Sequence, residues 1–132
     1  KMPAVQIEVK QHYDLKTESA LMDAVHSALV EAFKIPQHDR NIRLFVHAPH
    51  RFLCPTDKSQ PEYFTLISID CFAGRSLGAK RHLYQSMVRN LSSLGIPADH
   101  INILLRELPT ENWGIRGGQA ACDIDLGFTV QV

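Results

Sequence analysis

The chain opens with apolar and polar residues in strict alternation. Val5, Ile7 and Val9 are separated by polar side chains, a period of two that predicts a β-strand with one buried face. From Thr17 onward the apolar residues recur every three or four positions, which predicts a helix that buries one stripe. Its stripe consists of Leu21, Met22, Val25, Leu29, Ala32 and Phe33. Thr17 is the predicted N-cap, and Pro36 is expected to stop the helix.

The same order of patterns recurs in the second half of the chain. Alternation over residues 42–46 predicts the strand that completes a first β-α-β unit. A β-favouring run over residues 64–72, a helical stripe opened by Ser76 and alternation over residues 101–105 predict a second unit. This second stripe consists of Leu77, Tyr84, Met87, Val88, Leu91 and Leu94, and it is stopped by Gly95 and Pro97.

The two units match in sequence as well as in order. Residues 34–39 align with residues 95–100, and the strands that follow keep the same offset. The repeats are predicted over residues 3–48 and 63–108, as two β-α-β units of one α/β fold.

Length and composition favour one domain. A chain of 132 residues that is 45% hydrophobic can bury one ordinary core, so residues 1–132 are predicted to form a single domain. Residues 47–61 contain three prolines and are predicted to be a loop, on which the size of a ligand pocket is expected to depend. A short tail strand is predicted over residues 124–132.

Right-handed crossovers would place both helices on one face of a shared four-stranded sheet. The other face is expected to carry Val, Ile and Leu and to be apolar. A large exposed apolar patch favours burial between subunits in a closed ring. An oligomer is therefore expected from topology.

Charge and cysteine use narrow the range of partners. Fourteen basic residues balance fourteen acidic ones without a Lys/Arg block, so neither nucleic acid nor a membrane surface is an expected partner. The sequence contains neither an apolar run long enough for a membrane span nor a recognisable secretory signal. The three cysteines, Cys54, Cys71 and Cys122, form no C-x-x-C pair, which favours reduced thiols. A cytoplasmic protein with a small-molecule partner is expected.

The histidines do not predict a metal site. His47 and His50 are three residues apart in an extended stretch, so they should point to opposite sides, and the sequence places no third ligand nearby. His26 lies on the first helical stripe and is expected to be a hydrogen-bonded core residue.

Several motifs together resemble the tautomerase superfamily. They are a Met2-Pro3 pair directly before a strand, the tandem β-α-β repeat, and Gly74-Arg75-Ser76 at the start of the second helix. The malonate semialdehyde decarboxylase branch is resembled in particular by three segments, residues 24–33, Ile35-Pro36 and Asp39-Arg40. Residues 112–118 are similar to a turn found late in related sequences. The resemblance implies the tautomerase (MIF-like) fold, a homotrimer and a cofactor-independent enzyme that acts on a small 2-oxo acid.

The resemblance also implies that Pro3 is the catalytic base. A terminal secondary amine in an apolar pocket near a cation has its protonated form destabilised, so it can act as a base near neutral pH. Lys1 and Met2 precede Pro3 in this sequence, and an acylated proline nitrogen is not basic. Either the mature chain begins at Pro3, or the base has been lost and Pro3 is only a proline that leads a strand.

Four further residues acquire roles by resemblance. Arg75 would bind the substrate carboxylate, and Arg116 in the glycine-rich turn could supply a second cation. Either arginine could instead be solvated. Asp39 would orient water or the reacting carbonyl, or it could be one member of a surface ion pair with Arg40. Trp113 would wall the pocket, or it could pack in the core or in a subunit interface.

Three functions remain open at this point. The first is proton transfer between the enol and keto forms of a 2-oxo acid. The second is decarboxylation, hydration or dehalogenation of a three-carbon acid in the same pocket. The third is a non-catalytic trimer that binds a small anion or a protein, which is favoured if Lys1 and Met2 are retained.

Overall fold

The computed structural model describes residues 3–10 and 13–125. Its main elements are β1 (Ala4–Lys10), α1 (Leu15–Phe33), β2 (Ile42–His47), β3 (Thr65–Phe72), α2 (Leu77–Ser92) and β4 (Ile101–Leu108). A hairpin of β5 (Gly114–Ile115) and β6 (Gln119–Ala120) follows. Both predicted β-α-β units are therefore confirmed. The tail strand predicted over 124–132 lies outside the described residues from position 126 onward.

The first helix begins earlier than its apolar stripe indicates. Its N-cap is Asp14, whose carboxylate accepts the Thr17 backbone N–H at 2.8 Å, so the prediction of Thr17 as N-cap is wrong. Leu15, the first residue of the helix, is 84% exposed, so the buried stripe does not extend to the start of the helix. Lys34 ends the helix in the left-handed conformation at φ 58°. In α2 the predicted start is confirmed, because the Ser76 hydroxyl accepts the Ala79 N–H at 3.0 Å.

The sheet order is β2-β1-β3-β4, with β1 parallel to β2, β3 parallel to β4, and β1 antiparallel to β3. The residues that precede β1 and β2 consequently lie at the same edge as the residues that follow β3 and β4. We call this the Pro3 edge. The C-terminal end of α1 and the N-terminal end of α2 reach the same edge, because each helix runs opposite to its strands.

The hydrophobic core lies between the sheet and the two helices. Val5, Ile7, Ile67 and Ile69 point toward the helices and are at most 1% exposed. His26 is buried with them, and its Nε2 lies 2.7 Å from the Gln37 carbonyl, which confirms a hydrogen-bonded core histidine.

The opposite, open face of the sheet is not the apolar surface expected from the sequence. Because the Val and Ile positions alternate onto the helix side, polar residues occupy much of the open face, with Arg106 paired to Asp70 at 2.6 Å. The exposed side chains of Phe45 and Leu104 add apolar area to this face. The open face is therefore mixed in character.

The segment between β2 and β3 is held at the edge opposite the Pro3 edge. Phe52 packs edge-on against Phe64 with ring centroids 5.5 Å apart. The Gln60 backbone N–H donates to Nε2 of the buried His100 at 3.1 Å, and His100 Nδ1 faces Asp99 at 2.8 Å. Within one chain the segment does not line the Pro3 edge, and the expectation that pocket size depends on it stays a prediction.

The carboxylate of Glu31 joins the two helices through several polar contacts. Glu31 of α1 accepts a hydrogen bond from the Ser86 hydroxyl at 2.5 Å and from Arg89 Nη2 at 3.3 Å, and His82 Nε2 lies 2.7 Å away. The Ser86 hydrogen bond is the largest of the effects that lower the pKa of Glu31 to about 2 from an ordinary value of 4.5.

This shift predicts a specific pH dependence of stability. Since the folded pKa is depressed, the stabilisation is fully present above about pH 4.5 and is lost as the pH falls through about 2. Glu31→Gln should lower the free energy of unfolding near neutral pH, and its difference from the parent should shrink toward pH 2. Urea unfolding across this range measures the difference. Asp57→Asn, which changes an exposed loop carboxylate, is the matched control, and a pH-independent deficit in Glu31→Gln would contradict the assignment.

Candidate active site

Three elements converge around Pro3. Pro3 is buried and directly precedes β1. Because Ala4 pairs with Asp70 in the antiparallel register, Pro3 lies across from Cys71 near the end of β3. The Val5 N–H donates to the Asn41 carbonyl at 2.9 Å, which fastens the α1–β2 connection beside the same strand. The start of β1 is therefore enclosed by residues from both β-α-β units.

Arg75 follows β3 through a turn that needs glycine, since Gly74 has φ 130°. This turn folds the side chain of Arg75 back against the sheet, where Nη1 donates to the Phe72 carbonyl at 3.1 Å. The guanidinium carbon lies 4.4 Å from the centroid of the Phe33 ring at the end of α1. Arg75 is only 5% exposed, so the alternative of a solvated loop arginine is wrong.

The guanidinium of Arg75 is incompletely satisfied. Nε and Nη2 are buried and have no hydrogen-bond partner among the described residues. An unmet buried donor costs about 1–3 kcal/mol. Burial is the largest effect and lowers the pKa of Arg75, while the nearby Cys71 and Glu107 oppose it. The side chain remains a cation, with two donors available to an anion.

Other arginines near this edge already have acidic partners. Arg40 Nη2 lies 2.6 Å from Asp23, and Arg106 binds Asp70 through two contacts. The alternative in which Arg40 pairs with Asp39 is therefore not what the structure shows. Asp39 itself is 9% exposed, and its N–H donates to the Pro36 carbonyl at 3.0 Å. This places a buried carboxylate just before β2, at the Pro3 edge.

Trp113 reaches the same edge from β4. Its indole packs edge-on against Phe72, with ring centroids 5.3 Å apart. The indole Nε1 is buried and has no hydrogen-bond partner among residues 3–10 and 13–125. Trp113 and Arg75 thus flank Phe72, and each carries an unused donor.

Arg116 is not brought to this group. It occupies the tip of the β5–β6 hairpin, is exposed, and adopts a left-handed conformation at φ 49°. Its Nη1 donates to the Asp125 carbonyl at 3.2 Å. In the single chain this contact ties Arg116 to the residues beyond the hairpin and not to Arg75.

Three neighbours of Arg75 were missed by the sequence reasoning. Phe33 was identified only as part of a helical stripe, Cys71 only as a packing thiol, and Glu107 not at all. The signal for Phe33 was weak, because a stripe predicts burial but not which buried ring faces a cation. Burial is the main effect that raises the pKa of Cys71, so the thiol beside Arg75 is neutral.

Two further findings concern metal binding and membrane spans. Within the part of the chain that the structure describes, no group of three or more His, Cys, Asp or Glu side chains could hold a metal ion. None of the helices described is long and apolar enough to cross a membrane.

Solved structures share this fold. The FG41 malonate semialdehyde decarboxylase inhibited by 3-bromopropiolate has a TM-score of 0.82 and 24% identity, covering 91% of this chain and 94% of that one. A malonate semialdehyde decarboxylase described as having decarboxylase and hydratase activities has a TM-score of 0.82 at 22% identity, covering 92% and 99%. A fused 4-OT symmetric trimer has a TM-score of 0.79 at 21% identity, covering 90% and 96%.

A family model described as tautomerase enzyme matches residues 39–116. The match contains Asp39, Arg75, Trp113 and Arg116, whereas Pro3 lies before it. It spans more than half of the chain, and the structural likeness to tautomerase-fold proteins extends over nine-tenths of it. The chain therefore belongs to the tautomerase family.

Proposed function

We propose that this protein is a cofactor-independent tautomerase that moves a proton between the enol and keto forms of a small 2-oxo acid. The observation that carries the proposal is the buried guanidinium of Arg75, which offers two unpartnered donors at the sheet edge where Pro3 begins β1. A carboxylate is the natural ligand for such a fork, because two parallel N–H bonds match its two oxygens.

The substrate carboxylate would bind Nε and Nη2 of Arg75 and place the enol beside Pro3. With a free N-terminus, the neutral Pro3 amine would remove the enol O–H proton and return a proton to the adjacent carbon, which gives the ketone. Burial and the Arg75 cation both disfavour the ammonium form, so they lower the basicity of the amine toward neutral pH. Arg75 would stabilise the negative charge that develops on oxygen.

Asp39 supports a second reaction at the same place. A buried carboxylate just before β2 could orient water or a carbonyl, which is what decarboxylation, hydration or dehalogenation of a three-carbon acid requires. Two solved relatives are malonate semialdehyde decarboxylases. A third possibility, a non-catalytic trimer that binds an anion or a protein, applies if Lys1 and Met2 stay attached.

One pair of assays separates these functions. Protein that begins at Pro3 should ketonise phenylenolpyruvate, followed by loss of its enol absorbance. Carbon dioxide release from malonate semialdehyde without ketonisation would favour the decarboxylase. Inactivity toward both, together with carboxylate binding, would favour the non-catalytic protein.

We propose in addition that residues 1–132 form a single domain, that three copies assemble through the open face, and that the protein is cytoplasmic. The fused 4-OT of similar fold is a symmetric trimer. Exposed Phe45 and Leu104 give the open face apolar area to bury. The three cysteines, which are free thiols, fit a reducing compartment.

The trimer predicts a mass about three times the 14.9 kDa of one chain. Leu104→Glu should shift the protein toward monomer, because a carboxylate would be buried at the interface. Leu53→Glu, in the connection at the opposite edge and 85% exposed, should leave the mass unchanged. Sedimentation velocity measures all three proteins. A monodisperse monomer at high concentration would overturn the assembly.

A further inference from the structure

Glu107 is a carboxylate whose charge acts on Arg75. It is directly beside Cys71 in the parallel register of β3 and β4. Paired residues of neighbouring strands share a face and lie about 5 Å apart. Cys71 and Glu107 both favour the charged form of Arg75. The Glu107 side chain thus shares a sheet face with Cys71, and its charge acts on a buried guanidinium that has two open donors.

Glu107 nevertheless pairs with a different cation. Lys80 Nζ lies 2.6 Å from Glu107 Oε1, and the two side chains are only 23% and 30% exposed. The position of Lys80 is fixed by the start of α2, because its backbone N–H donates to the Ser76 carbonyl at 3.1 Å. Arg75 directly precedes the N-cap of α2 and Lys80 lies in its first turn, so both cations are carried by the same helix start.

We propose that Lys80 is a positioning residue that holds Glu107 away from Arg75 and so keeps the guanidinium open for the substrate carboxylate. This inference rests on the proposed function, in which Arg75 binds a substrate anion. The groups found around Arg75 agree with it, since the Phe72 carbonyl, the Phe33 ring and the Cys71 thiol are all uncharged. None of them neutralises the cation.

Removal of Lys80 should convert Glu107 into an internal competitor. A tethered carboxylate has an effective concentration in the millimolar range or above, which exceeds ordinary substrate concentrations. Lys80→Gln should therefore raise KM for an enol acid about tenfold or more, while kcat changes little because the reacting groups are untouched. A surface ion pair that only supports the fold would instead change stability slightly and leave KM alone.

The test is a double-mutant cycle of Lys80→Gln and Glu107→Gln in protein that begins at Pro3. Glu107→Gln alone should leave KM unchanged or lower it, and the double variant should return KM to the parent value. Arg81→Gln, which removes a charge from the next position of the same helix, is the control and should behave as the parent. A Lys80→Gln variant with normal KM, or a double variant as impaired as Lys80→Gln, would overturn the proposal.

Pyruvate binding, measured by calorimetry on the same four proteins, separates this inference from the proposed function. If the parent binds pyruvate but does not ketonise an enol, the tautomerase function fails, while the cycle still tests Lys80 through Kd. If the parent ketonises the enol and Lys80→Gln leaves both KM and Kd unchanged, only the role of Lys80 fails. If the parent binds no carboxylate, Arg75 is not an anion site and the role of Lys80 falls with it.

Discussion

Protein trimmed to begin at Pro3 is expected to ketonise phenylenolpyruvate at least about a hundred times faster than protein that retains Lys1 and Met2, because a positioned general base contributes roughly 10²–10⁴-fold. A proline nitrogen is basic only when nothing precedes it. In the extended chain the same atom is an amide and can neither accept nor return a proton. The two forms differ by two residues and need no substitution.

A Pro3→Ala variant with a free terminus tests the chemistry further. Its primary amine can still carry a proton, so its activity should fall between that of free proline and that of the extended chain. The pH profile of kcat/KM should rise with pH through the pKa of the amine in both free-amine proteins, and this acid limb should be lost in the extended form. Sedimentation velocity on all three proteins is the control that checks whether they assemble equally. If the trimmed and extended forms react equally fast, Pro3 is not the base, and the buried carboxylate of Asp39 becomes the candidate.

The repeated fold could be predicted because each element buries a regular stripe. Alternation at Val5, Ile7 and Val9 identifies β1, and the same period identifies β4. The first residue of α1, Leu15, is exposed and is not part of the buried stripe, which is why the cap at Asp14 was missed. The period of two places Val5, Ile7 and Val9 on one face of the sheet, and this is the face that packs on the helices. The expected apolar open face followed from counting Val and Ile without assigning them to the helix side, which takes most of them.

The residue types of the candidate site could be predicted from the sequence, but the arrangement of these residues in space could not. Pro3, Asp39 and Arg75 come from three separate parts of the chain, and only the order β2-β1-β3-β4 brings them to one edge. In the sequence, Arg75 is the candidate carboxylate ligand by resemblance, and Arg116 in the glycine-rich turn is a candidate second cation. The structure separates them, since one guanidinium is buried over Phe33 and the other is exposed at a hairpin tip. Burial of a charge depends on tertiary packing, which a local motif does not encode.

Arg75→Ala is expected to reduce kcat/KM for an enol acid by two or more powers of ten, since losing a buried charge-assisted contact costs on the order of 2–5 kcal/mol. Arg75→Lys should restore little of this loss. An ammonium is a point charge that cannot bind both carboxylate oxygens, and it stacks less well on the Phe33 ring than the planar guanidinium. Steady-state kinetics on the trimmed protein measures both variants.

A loss of activity could also arise from loss of the fold, and Arg75→Met distinguishes the two causes. Methionine keeps the apolar contact with Phe33 but removes the two donors that are buried without partners. The variant should therefore bind no carboxylate yet unfold at the same or a higher urea concentration than the parent, because an unmet desolvation cost disappears. Carboxylate binding would then be lost while the free energy of unfolding stays the same or rises, as expected for a charge that is kept in a buried site to bind a ligand. Near-normal kinetics in Arg75→Ala, or inactivity in Arg75→Met that is matched by a large fall in stability, would show that Arg75 supports the structure and does not bind substrate.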